Sequence, residues 1–190
     1  MVATESATQR DLAPLIRQDA EAFRLLVAEY QSTVAGLAQS LGLAGADIDE
    51  AVADVFVNIY RALPGFDGRA QLRTWIYRIA CRGIVKARTR LRRRPMAPLD
   101  TEVRDANETT PGARLEAHET NRRVWQAVAE LEPRQAMAVE LYYRREMPLA
   151  EVAEALECPE GTVKTLLYRA RERLRFLLTR AGVCDGSTPL

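Results

Sequence analysis

Ten Lys or Arg side chains and no Asp or Glu stand between Arg69 and Arg94, in "RAQLRTWIYRIACRGIVKARTRLRRR", with Trp75 and Tyr77 among them. Cationic groups along a helix bind phosphates, and aromatic surfaces accept unstacked bases. The chemistry within reach is capture of a polyanion, not bond cleavage. No P-loop, GxSxG or HExxH is present, and the single histidine, His118, supports no obvious triad. Cys81, Cys158 and Cys184 lie far apart, without the close CxxC or HxxxH spacing of zinc sites. Neither enzymatic activity nor a cofactor or metal is expected.

A second set of polar side chains comes near the end of the chain. In "LAEVAEALECPEGTVKTLLYRARERL", Leu149, Val152, Ala153 and Leu156 form one apolar face, and "CPEG" breaks the helix. Val163, Leu167, Ala170 and Leu174 then give the next helix its inner stripe. Ala153 and Val163 have the spacing at which the two helices of a helix-turn-helix touch. Glu160, Thr162, Lys164, Thr165, Tyr168 and Arg169 face outward, where the second helix of such a motif enters the major groove. Arg171, Arg173 and Arg175 are placed for phosphates, which position a protein without reading sequence.

The net charge of +1 hides strong segregation. Residues 1–68 hold 4 basic and 10 acidic groups, residues 69–94 hold 10 and 0, residues 95–160 hold 7 and 14, and residues 161–190 hold 6 and 2. Two basic blocks alternating with two acidic ones point to an anionic partner met at two places. No basic segment followed by an apolar run opens the chain, and no stretch of eighteen apolar residues exists. An odd cysteine count fits a reducing compartment, so a cytoplasmic protein without membrane insertion is expected.

The elements that must carry these residues read as helices throughout. Asp19 is a good N-cap for a helix with apolar residues at Ala22, Leu25, Leu26, Tyr30, Val34 and Leu37. A second helix starts on Asp47 or Asp49, repeats Val52, Val55, Phe56 and Ile59, and stops at "PGFDG". In the basic stretch, Leu72, Trp75, Ile76, Ile79 and Ala80 form one buried stripe. Trp75 lies in that stripe, which favours packing over base contact, whereas Tyr77 and Arg78 lie off it and are the better nucleic-acid candidates. Residues 95–118 contain prolines and no steady period, and read as a flexible acidic linker. The expectation is all-α: two helical domains, 10–94 and 119–182, with a frayed tail "VCDGSTPL".

With "DIDEAVADVFVNIYRALPGFDG", "LRTWIYRIA" and "CPEGTVKTLLYRARERL" in this order, the chain resembles the extracytoplasmic-function (ECF) sigma factors of bacterial RNA polymerase. The resemblance covers Leu12 to Leu178 and implies a region 2 helical bundle followed by a region 4 helix-turn-helix. It implies that Asp49, Glu50, Asp54, Val55 and Phe56 dock on the clamp coiled coil of core polymerase, an acidic ridge beside exposed apolar residues suiting a basic amphipathic partner. The flap would meet the second domain. The −10 promoter element would be held by Phe66, Asp67, Gly68, Arg69, Arg73, Trp75, Tyr77, Arg78, Arg82 and Lys86, with the loop "PGFDGRAQ" taking a flipped base. The duplex −35 element would be read by Glu160, Thr162, Lys164, Thr165, Tyr168, Arg169 and Arg171. An anti-sigma protein is the further expected partner.

Two departures stand out. Arg82 and Lys86 occupy positions where the family often has Asn and Asp, adding positive charge beside the melted strand. Leu166 stands in "TVKTLL" where an Arg often stands, removing one DNA contact and enlarging an apolar patch. Two rival readings remain at the level of sequence. A stand-alone helix-turn-helix regulator would dimerise on paired half-sites, yet no coiled-coil seam is present and the basic aromatic helix would be idle. A protein-binding helical adaptor would show no salt-dependent affinity for DNA.

Overall fold

The computed structural model describes residues 12–93 and 113–183, with side chains from residue 121 onward in the second span. The linker span up to residue 112, Arg94, Cys184 and the rest of the tail lie outside the described residues. Eight α-helices and no strand occur among those described. They are α1 (Ala13–Ile16), α2 (Ala20–Ser40), α3 (Ala46–Ala62), α4 (Leu72–Arg92), α5 (Ala113–Ala129), α6 (Pro133–Val139), α7 (Leu149–Ala155) and α8 (Glu160–Arg180). None of them is long and apolar enough to cross a membrane.

The local signals act as expected in the first domain. Asp19 caps α2, its carboxylate accepting from the Ala22 amide at 2.9 Å. Gly42, at φ 79, closes α2 in the left-handed region, and the Leu43 amide donates back to the Ala38 carbonyl at 3.1 Å. The next helix, α3, begins at Ala46 rather than at Asp47 or Asp49, so both acids fall in its first turn and complement the helix dipole. Leu63–Gly65 forms a single 3-10 turn that ends α3 at Pro64.

Helices α2, α3 and α4 pack around Leu26, Leu37, Val55, Ile59, Ile76 and Ile84. The α3–α4 crossing is close because Gly83 lacks a side chain: a Cβ there would lie 2.8 Å from Val55 Cγ2. In the second domain, α5 starts at Ala113, inside the span read as linker. Helix α6 continues into a π-helical turn over Glu140–Arg144, a widening the sequence pattern did not foretell.

The buried core runs on from the first domain into the second. Helix α4 packs against α7, and α2 against α5 and α6, so the basic helix lies between its own bundle and the helix-turn-helix. At that seam Glu140 is fully buried, its Oε1 accepting from Arg145 Nε at 3.1 Å, with Arg144 3.6 Å away. Arg144 in turn stacks on Trp125, 4.7 Å from the ring centre.

Candidate nucleic-acid interface

The helix-turn-helix is built as its spacing predicted. Ala153 and Val163 are both buried where α7 and α8 pack together, and Leu167, Ala170 and Leu174 continue the inner stripe. Proline 159 precedes α8, and Glu160 opens its first turn. Glu160, Thr162, Lys164, Thr165, Tyr168 and Arg169 are all exposed, side by side on the first two to three turns. The Thr165 hydroxyl donates to the Gly161 carbonyl at 2.9 Å, leaving its oxygen lone pairs toward solvent. Arg171 is half-buried, 3.5 Å from the Tyr143 hydroxyl. Leu166 packs partly against the core, so the substitution there feeds packing and not an exposed patch.

The basic helix is different. Trp75 is buried and meets the Phe66 ring at 5.1 Å between centres. Phe66 is thereby anchored under its loop, while Asp67, Gly68 and Arg69 stay exposed. The Asp67 carboxylate accepts from the Arg69 amide at 3.1 Å and pairs with its guanidinium at 3.2 Å, tightening the turn at Gly68, φ 72.

Tyr77 departs from expectation. It is only 5% exposed, edge-on to Tyr30 of α2 at 6.2 Å, and burial pushes its phenol up. Periodicity placed Tyr77 off the stripe, but α4 is covered on more than one side. Arg78 is half-buried, and Lys86 is exposed. Arg73 donates to Glu151 of α7, and Arg82 donates through Nε to Glu157 at 2.7 Å and through Nη2 to its other oxygen. The positive charge that Arg82 adds is therefore already paired.

On α3, Asp49, Glu50 and Asp54 form an exposed acidic ridge. Arg90 of α4 bridges Glu50 at 2.9 Å and Asp54 at 3.2 Å. Val55 and Phe56, expected to be exposed beside this ridge, are 0% and 6% exposed and belong to the first domain's own core. Each faces inward because the α3 stripe runs Ala51, Val55, Phe56 and Ile59. The apolar side chains that do reach solvent on this helix are Val57 and Tyr60, which the sequence reading missed. Their signal was present: both fall outside the 3.6-residue stripe.

An exposed recognition helix and a cationic helix, each on its own bundle, define a two-domain helical DNA-binding protein. Known proteins agree part by part. The Sigma-70 region 2 model matches residues 26–94, and the Sigma-70, region 4 model matches residues 121–174. The chain is 31% identical over 182 residues to the ECF RNA polymerase sigma-E factor of Haemophilus influenzae, covering 90% of this chain and 95% of the relative. It is 30% identical to the ECF RNA polymerase sigma-E factor of Escherichia coli K12, with 90% and 94% covered. CnrH, solved with the cytosolic domain of CnrY, aligns with a TM-score of 0.66 and 27% identity over 89% of this chain and 95% of that one. The sigma factor RpoE of Bartonella quintana, solved with the anti-sigma factor NepR, shares the fold at TM-score 0.65 and 19% identity, covering 84% and 98%. The chain belongs to the sigma-70 family, in its ECF group of RNA polymerase sigma factors.

Proposed function

We propose that this protein is a promoter-recognition subunit that joins core RNA polymerase, reads −35 and −10 elements and promotes strand separation. The observation that carries the reading is the exposed face of α8, from Glu160 to Arg169, with Ala153 and Val163 buried beneath it where α7 and α8 pack. Polar side chains on the first turns of such a helix reach base edges in the major groove, and the later arginines meet phosphates. In this reading the second domain, 119–182, takes the −35 duplex and the polymerase flap.

The first domain, 10–94, would dock through Asp49, Glu50 and Asp54 with Val57 and Tyr60 beside them. An acidic ridge flanked by exposed apolar side chains suits a basic amphipathic coiled coil such as the polymerase clamp. The exposed Asp67–Arg69 turn and the arginines of α4 would receive the melted −10 strand, where phosphates and splayed bases become available together. The chemistry of RNA synthesis would remain with the polymerase. Family membership extends the proposal to an anti-sigma partner; the CnrH relative was solved in complex with the cytosolic domain of CnrY.

Run-off transcription with core polymerase and a library of candidate promoters tests the whole reading, with permanganate footprinting of melted thymines. Arg78→Ala is expected to reduce melting more than duplex binding. A protein that never associates with core enzyme at low salt and opens no DNA would instead be a stand-alone regulator.

A further inference from the structure

The π-helical turn over Glu140–Arg144 sets Tyr143 apart. In an α-helix, residues three and four apart share a face, so Tyr143 would follow Glu140 toward the interior. Here the Arg145 amide donates to the Glu140 carbonyl at 3.0 Å, five residues back, and the widened turn swings Tyr143 off that face. Glu140 stays fully buried while Tyr143 is 47% exposed. Its ring is held in place: Tyr142, packed partly against the core, meets it edge-on at 5.0 Å between centres. An aromatic side chain held this way loses little further freedom when its hydroxyl takes a partner.

That hydroxyl faces the recognition helix. Arg171 Nη1 donates to the Tyr143 oxygen at 3.5 Å. Lys164, Tyr168 and Arg171 stand at i, i+4 and i+7 on α8, so they follow one edge of the helix, and Tyr143 lies beside that edge. Among the described residues no carboxylate is paired with Arg171. A helix in the major groove turns its middle to the bases, and its edges meet the phosphates on either side. With the phenol oxygen accepting from Arg171, the phenol proton is left to donate, and the guanidinium keeps further N–H donors. Two donors meeting at one place, one of them charged, suit a phosphate.

We propose that Tyr143 and Arg171 form a clamp at the edge of α8: the phenol and the guanidinium grip one backbone phosphate of the −35 duplex and set the angle at which the recognition helix enters the groove. The proposal rests on the reading of α8 as the −35 helix. It adds a residue from outside the helix-turn-helix, since Tyr143 precedes α7. Tyr143 is neutral, so its contact displaces no counterion, and a phosphate contact reads no sequence. Arg171 supplies both a contact and a charge.

The test uses the full chain and a fluorescent duplex selected for tight binding from a random-sequence library. Tyr143→Phe removes one oxygen and keeps the ring against Tyr142, so the fold persists, which a thermal melt verifies. Affinity should fall by about 10-fold, the lower end for a hydrogen bond to a charged acceptor, with the slope of log affinity against log salt unchanged. Arg171→Gln should lower that slope by about 1. Duplexes carrying a single neutral methylphosphonate, scanned along both strands, locate the contact. On one of them, and on that one alone, the loss caused by Tyr143→Phe should largely vanish.

Unchanged affinity in Tyr143→Phe, with Lys164→Ala still lowering the salt slope, overturns the clamp and leaves the reading of α8 intact. A Tyr143→Phe loss that persists on every modified duplex also overturns it, because the loss would then come from a displaced Arg171 and not from a phosphate. A salt slope that neither Lys164→Ala nor Arg171→Gln changes overturns the reading of α8 itself.

Discussion

Gly83 sets how closely α3 and α4 approach, and Gly83→Ala tests that geometry quantitatively. The added methyl would sit 2.8 Å from Val55 Cγ2, against an optimum near 3.5–4.0 Å between carbons. Val55 cannot swing aside: it is fully buried, and a β-branched side chain in a helix keeps essentially one rotamer. The crossing must therefore open by roughly 1 Å. Overpacking of this kind costs about 1–3 kcal/mol. Replacing Gly by Ala in a helix interior returns about 0.5–1 kcal/mol.

The net should be a loss of about 1–2 kcal/mol, the middle of the range these terms span, lowering Tm by about 2–8 °C for a chain of this size. In a Val55→Ala background the clash disappears and only the helix gain remains, so the same substitution should stabilise by about 0.5–1 kcal/mol. Urea denaturation followed by circular dichroism gives all four corners of this double-mutant cycle. Stabilisation by Gly83→Ala in the wild-type background, or the same sign in both backgrounds, would falsify the close-crossing argument. A widened crossing should also loosen the grip of Arg90 on Glu50 and Asp54, because that bridge spans the same two helices.

Three further outcomes are expected. Lys164→Ala should weaken duplex binding and reduce the slope of log affinity against log salt by about 1; an unchanged slope rejects phosphate contact by Lys164. Asp54→Arg should lower affinity for core polymerase in a pull-down titration while costing folding under about 1 kcal/mol, since the pair with Arg90 is exposed; undiminished assembly removes Asp54 from the docking surface. Burial, offset in part by Arg144 and Arg145, pushes the Glu140 carboxyl above its ordinary value. A carboxyl whose folded pKa is raised contributes stability at low pH and loses it as pH climbs through the folded value. Wild type should therefore lose stability relative to Glu140→Gln as pH rises from about 4.5 toward neutrality, and a stability gap that stays flat over that range in urea titrations contradicts the buried-charge account.

Much of the site was legible in the residues because helix signals are local. The Asp19 cap, the stop at Pro64 and the Trp75–Ile76–Ala80 stripe act within a few turns, and each appears where its spacing placed it. The burial of Ala153 and Val163 between α7 and α8 was equally readable, since a helix-turn-helix closes over ten residues. The errors have two causes. Periodicity assigns a single inner face to each helix, so it exposed Tyr77 on α4 when that helix is enclosed on more than one side. The family resemblance offered Val55 and Phe56 as a docking surface although the apolar repeat already turned them inward, leaving Val57 and Tyr60 outside.

The sequence by itself determined the helices, the two charge clusters and the polar face of the recognition helix, because period, caps and composition are properties of neighbouring residues. Only the tertiary structure decided where the cations of α4 go. Arg73 and Glu151 are 78 residues apart, and Arg82 and Glu157 are 75 apart. No spacing rule links such partners; they meet because the second bundle lies across the first, joining two runs of opposite charge that composition had kept separate.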